Sequence, residues 1–158
     1  MKNKTLPALL ASTLLGAVSD AGAASARGTP SPQEQRNEQV VLDFYDAAIN
    51  RKDFDAAANF LGERYIQHNP SAVDGRNGLK AFLALLRSKF PHDSSHIVRV
   101  FVDGDFVILH VHNVREPDTR GVAIMDIFRL QNGKIVEHWD VRQDVADTST
   151  AANPNGMF

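Results

Sequence analysis

The chain has 158 residues, enough for one domain. Its 43% hydrophobic and 23% charged residues exclude a disordered chain. A formal net charge of −2 disfavours a nucleic-acid binder held by phosphate contacts, and zero cysteines exclude disulfides, thiol nucleophiles and thiolate metal sites.

Residues 1–26 read as an export segment. Lys2 and Lys4 precede an apolar, small-residue stretch from Leu6 to Val18, and Ala21-Gly22-Ala23 and Ala24-Ser25-Ala26 both fit a signal-cleavage site. The expectation is a periplasmic or secreted protein with no membrane association once the segment is removed. The alternative is an amphipathic or buried N-terminal helix. No later stretch approaches the ~20 apolar residues of a transmembrane helix.

Residues 27–36 read as a linker that runs into a helix start. Ser31 is the N-cap, Pro32 takes the first helical position and Glu34 closes a capping box. Val40, Val41, Phe44, Tyr45, Ala48 and Ile49 then recur at helical spacing. Asp53 caps a second short helix through Phe60 or Leu61, with Gly62 as its stop. Tyr65 to His68 is extended, and Asn69-Pro70 turns the chain. A third helix runs from about Arg76 to Lys89, with Leu79, Phe82, Leu83 and Leu86 on one face, and Pro91 ends it.

After residue 93 the hydrophobic period becomes two. Ser95–Val102, Phe106–Arg115, Gly121–Leu130 and Ile135–Gln143 read as strands, and the turn residues between them predict an antiparallel meander. Residues 144–158 read as a polar tail. The domain of residues 37–143 is therefore α+β: a cone-shaped barrel of three N-terminal helices packed on a curved antiparallel sheet, with a cavity on the concave face.

Alternation assigns side chains to faces. Ile108, His110, His112 and Val114 share one face of the second long strand; Ile124, Asp126, Phe128 and Leu130 share one face of the third. Asp126 is thus a carboxyl in apolar surroundings, a candidate acid/base or, more plainly, a structural carboxylate paired with a histidine. The last strand has two registers. A two-residue turn at Asn132-Gly133 sets Trp139 opposite Asp126, whereas a three-residue turn sets His138 there. The second is favoured because it faces Val136, His138 and Asp140 inward and keeps Glu137 away from Phe128. It also leaves Met125, Ile127 and Trp139 as a convex apolar patch, which points to a homodimer through the sheet. His110 and His112 with a third histidine and Asp126 could hold zinc or iron, or simply line the cavity. Tyr45 reads equally as a core tyrosine or an oxyanion donor. His68 and Asn69 either cover the pocket mouth or shape the turn.

Four segments carry a family resemblance: Phe44-Tyr45 with Asn50-Arg51-Lys52-Asp53; Tyr65-Ile66-Gln67-His68-Asn69-Pro70; Asp126-Ile127-Phe128-Arg129; and Gly133-Lys134-Ile135-Val136-Glu137-His138-Trp139-Asp140. Over about residues 37–143 the chain resembles the SnoaL-like polyketide cyclase group of the nuclear transport factor 2-like superfamily. That resemblance implies ring closure by intramolecular aldol condensation without metal or cofactor, with Asp126 as acid/base and His112, or His110, as its partner. Ketosteroid isomerases are more distant relatives; Tyr45 and Asp126 match their oxyanion hole. Their base position is Asn69 here, which cannot take a proton, although His68 next door could. The expected ligand is small, apolar and carbonyl-containing, bound among Tyr45, His68, Asn69, Phe128, His138 and Trp139. The alternative is a non-catalytic small-ligand-binding protein of the same fold.

Overall fold

A computed structural model describes residues 29–158, so the expected export segment lies outside the described residues. The first helix, α1 (Pro32–Tyr45), begins as its capping residues dictate. The Ser31 hydroxyl accepts from the Glu34 N–H at 3.2 Å, and the Ser31 N–H donates to Glu34 Oε2 at 2.7 Å. The helix therefore occupies half of the stretch read as a linker. Asn37, Val41, Phe44 and Tyr45 form its buried stripe. A π-helical turn (Asp46–Asn50) follows and buries Ala47 and Ala48. Asp53 caps α2 (Phe54–Ala58) by accepting from the Ala56 N–H at 3.0 Å.

Gly62 does not stop that helix. It lies within β1 (Leu61–Gln67), where a Cβ would stand 2.9 Å from Val136 Cγ1. The residue is small because β1 passes close to β5 (Lys134–Asp144). In α3 (Gly75–Lys89), Leu79, Leu83 and Leu86 are buried, whereas Phe82, expected beside them, is 37% exposed at the edge of the stripe.

The remaining strands are β2 (Ser94–Asp103), β3 (Phe106–Val114) and β4 (Val122–Gln131). The sheet order is β1-β5-β4-β3-β2. β2 to β5 form the expected antiparallel meander, but β1 joins β5 in parallel. The sheet is thus mixed rather than wholly antiparallel, and it is not closed. The helices cover one face, with α1 packed on β2 and β3 and α3 on β1.

The register of β5 differs from both expectations. Asn132 and Gly133 have φ of 52° and 71°, and Gln131 pairs with Lys134, so the turn has two residues. The register then shifts: Leu130 pairs with Ile135, but Arg129 pairs with Glu137. Val136 is the extra residue of a β-bulge, and Ile135 rather than Val136 is fully buried. Beyond the bulge Phe128 faces His138, Ile127 faces Trp139 and Asp126 faces Asp140. His138 therefore points inward as expected, but Asp140 holds the place opposite Asp126.

Candidate active site

Asp126 lies in the middle of β4 on the helix-covered face and is 5% exposed. Its two carboxyl oxygens take separate partners. The Tyr45 hydroxyl donates to Oδ2 at 3.1 Å, and His138 Nε2 lies 3.0 Å from Oδ1. Tyr45 reaches this point from the last turn of α1, whose buried stripe aims it at the sheet. Phe128 supplies the apolar wall: it meets Tyr45 edge-on at 6.4 Å and lies 4.7 Å from the His138 ring.

The network extends beyond His138 to residues of β1 and its following turn. Gln67 Nε2 and Oε1 lie 3.0 and 3.1 Å from His138 Nδ1. Gln67 Oε1 accepts the Asn69 backbone N–H at 2.9 Å, and Gln67 Nε2 lies 3.4 Å from the Tyr65 hydroxyl. The Asn69 side chain donates to both Asp140 oxygens at 2.8 Å, and its own oxygen accepts the Ser71 N–H. Asn69 thus shapes the turn and ties it to β5.

Both tyrosines of the network hold their protons tightly. Burial, then the charge of Asp126, pushes the Tyr45 phenol well above its ordinary range. The same two causes, in the same order, raise Tyr65.

Two expected partners of Asp126 are not there. On β3 it is Val107, Leu109, Val111 and Asn113 that are buried on the Asp126 face, with Leu109 directly opposite Asp126. His110 and His112 pair with Met125 and Ala123 and point to the outer face. The expected assignment failed because Ile108 and Val114 made the even-numbered face of β3 look apolar, while the fully buried residues are the odd-numbered ones. Outside, His110 Nδ1 meets Arg99 at 2.9 Å, and His112 Nε2 donates to the Arg120 carbonyl at 2.8 Å. Phe158 lies against both rings at 5.3 and 4.5 Å, so the end of the supposedly polar tail packs on the sheet.

His68 and Trp139 also belong to the outer face. Their rings stack at 4.3 Å with 3° between planes. They border an open recess of about 440 Å³ with Phe106, Met125, Ile127 and Val141. A second recess of about 250 Å³ adjoins it at Met125 and Val141. Neither occupies the concave face, where a cavity was expected.

Asp126, His138 and Asp140 place three ligand atoms within 4.8 Å of one another. Those atoms already serve other bonds. Asp126 Oδ1 is bound to His138 Nε2, and the Asn69 amide engages both Asp140 oxygens. The donor set therefore reads as a hydrogen-bonded network. Gln67 and Tyr65 were missed as site residues, although period-two alternation along β1 places them on one face.

The SnoaL-like domain family matches residues 41–138. None of the curated proteins compared with the chain matches it. Among solved structures, TsrD from Streptomyces laurentii is 21% identical with a TM-score of 0.60, covering 72% of this chain and 92% of that one. A candidate SnoaL-like polyketide cyclase from Jannaschia sp. CCS1 is 22% identical with a TM-score of 0.63, covering 74% and 92%. A candidate ketosteroid isomerase from Kribbella flavida is 14% identical with a TM-score of 0.61, covering 73% and 83%. At such identities the likeness is one of fold.

Proposed function

Because the chain belongs to the SnoaL-like domain family, we propose that it is an exported small-molecule enzyme, free of cofactor, that moves a proton next to a ligand carbonyl. The reaction type is aldol cyclisation or isomerisation, and the ligand is a small apolar carbonyl compound. The observation that carries this reading is the buried Asp126 carboxyl held between the Tyr45 hydroxyl and the His138 imidazole.

Tyr45 has one proton to donate, and at rest Asp126 Oδ2 receives it. A carbonyl oxygen that takes over this bond frees Oδ2 to act as base. The carboxylate then removes a proton from the carbon next to the carbonyl, and the electron pair moves onto the carbonyl oxygen as an enolate. Tyr45 stabilises that oxygen by its hydrogen bond. In an aldol closure the enolate carbon attacks a second carbonyl carbon, and Asp126 returns its proton to the new alkoxide. In an isomerisation the proton returns to a different carbon. His138 holds Oδ1 throughout. The half-buried side of the network, at Gln67, Asn69 and Asp140, is the flank from which a ligand would enter.

Turnover of a diketone panel tests this reading. Asp126→Asn should lower it by roughly 10²–10⁴-fold at unchanged fold by circular dichroism; unchanged turnover removes Asp126 from the chemistry. A ligand-binding protein without turnover is the second reading. It is favoured by one fact: both oxygens of Asp126 are already satisfied. We further propose that the outer sheet face forms a homodimer, since Phe106, Met125, Ile127, Trp139 and Val141 line one recess there together with His68 and Asp140.

A further inference from the structure

We propose that Gln67 is a positioning residue that sets the tautomer of His138 and so keeps Asp126 a hydrogen-bond acceptor at both oxygens. The proposal rests on the reading of Asp126 as the base. It starts from a group with no choice: the Asn69 backbone N–H can only donate, and it points at Gln67 Oε1 at 2.9 Å. This fixes which end of the amide is oxygen. The amide nitrogen is then the end 3.0 Å from His138 Nδ1, and it donates. With Nδ1 accepting, the ring carries its proton on Nε2, the nitrogen that faces the Asp126 carboxylate. That N–H donates to Asp126 Oδ1, while Tyr45 donates to Oδ2.

The chain of donors runs in one direction, from the backbone of the Asn69 turn to the carboxylate. The opposite tautomer would have to hand its Nδ1–H to Oε1 at 3.1 Å, an oxygen the Asn69 N–H already occupies, and would leave Nε2 with no proton to give Asp126. The carboxyl would then have to carry a proton itself and could not act as base. Gln67 touches neither the carboxylate nor the carbonyl position in this scheme, so it acts through His138. Gln67 Oε1, at 3.1 Å from Nδ1, is also placed to accept if the ring gains a second proton. One side chain thus matches both proton states of the imidazole without rotating.

Nitrogen-15 NMR of the histidine-labelled protein tests this without any substrate, with His138 identified by His138→Gln. The expected spectrum of the neutral ring shows a protonated Nε2 and a bare Nδ1. In Gln67→Glu the carboxylate can only accept, so Nδ1 should gain a proton and the ring should be doubly protonated at a pH where wild type is neutral. In Gln67→Met, which keeps the volume, the Nε2-protonated share should fall to what the Asp126 carboxylate alone imposes. Both variants should lower kcat at least about tenfold, with KM changed far less. A wild-type ring protonated on Nδ1 overturns the proposal. So do ring signals that Gln67→Met and Gln67→Glu leave unchanged in folded protein. A correct tautomer in a chain that turns over no carbonyl compound would leave this inference standing and defeat the enzymatic reading instead.

Discussion

Tyr45 and Tyr65 are the only tyrosines in the chain, and both are buried next to the Asp126 network. Burial and the nearby carboxylate hold both phenols above the ordinary range, so the folded state keeps protons that the unfolded chain would release. Their contribution to stability is complete below about pH 10 and is lost as the pH rises beyond it. Absorbance at the tyrosinate band should therefore stay flat in the native protein to about pH 11. It should then rise together with loss of the far-ultraviolet circular dichroism signal. Tyrosinate forming in folded protein near the ordinary phenol range would contradict the burial of the pair. At this scale the sequence carried part of the site. Asp126 stood out because it interrupts an apolar row, and Tyr45 because it falls on the buried stripe of α1. His110 and His112 misled because a strand has two faces, and both faces of β3 carry apolar residues. Gln67 was silent because a glutamine announces nothing until its partner is placed.

The element that decides the site is the bulge in β5. Two-residue turn chemistry at Asn132-Gly133 would by itself send Glu137 inward and Trp139 opposite Asp126. The extra residue Val136 reverses that outcome. Glu137 then meets Arg129 on the outer face at 2.9 Å, a bond that holds its carboxyl below the usual range. His138 turns to the core. Strand existence and the inward face of β4 were legible from alternation, the inward face of β3 was not, and a bulge leaves no mark in a two-residue period. A matching adjustment sits on β1, where Gly62 makes room for the Val136 side chain. Gly62→Ala should destabilise the fold by about 1–2 kcal/mol through overpacking. Val136→Ala in the same chain should recover part of that loss, giving a coupling term in denaturant titrations of the four proteins of the cycle. Strict additivity would show that Gly62 and Val136 do not press on each other.

Across the whole molecule the two sheet faces have different tasks. The inner face is closed by the helices and holds the apolar core and the polar network; the outer face carries a partly exposed apolar row, the two open recesses and the end of the tail. The architecture was readable from element order, because three helices followed by a meander leave few ways to bury one face. The parallel docking of β1 on β5 was not, since a short strand before α3 offers no local sign of its partner. If the outer face joins two copies, Ile127→Asp should convert a dimer to a monomer in analytical ultracentrifugation, with secondary structure retained; a monomeric wild type would contradict the dimer. Proton NMR of a small diketone in deuterated water reads whether Asp126 moves protons next to a carbonyl. Wild-type protein and His110→Ala/His112→Ala should exchange the protons between the carbonyls at the same enhanced rate, and Asp126→Asn should reduce that rate to the level without protein. Equal exchange with wild type and Asp126→Asn, or none above background with wild type across the panel, would mean that Asp126 is not the base.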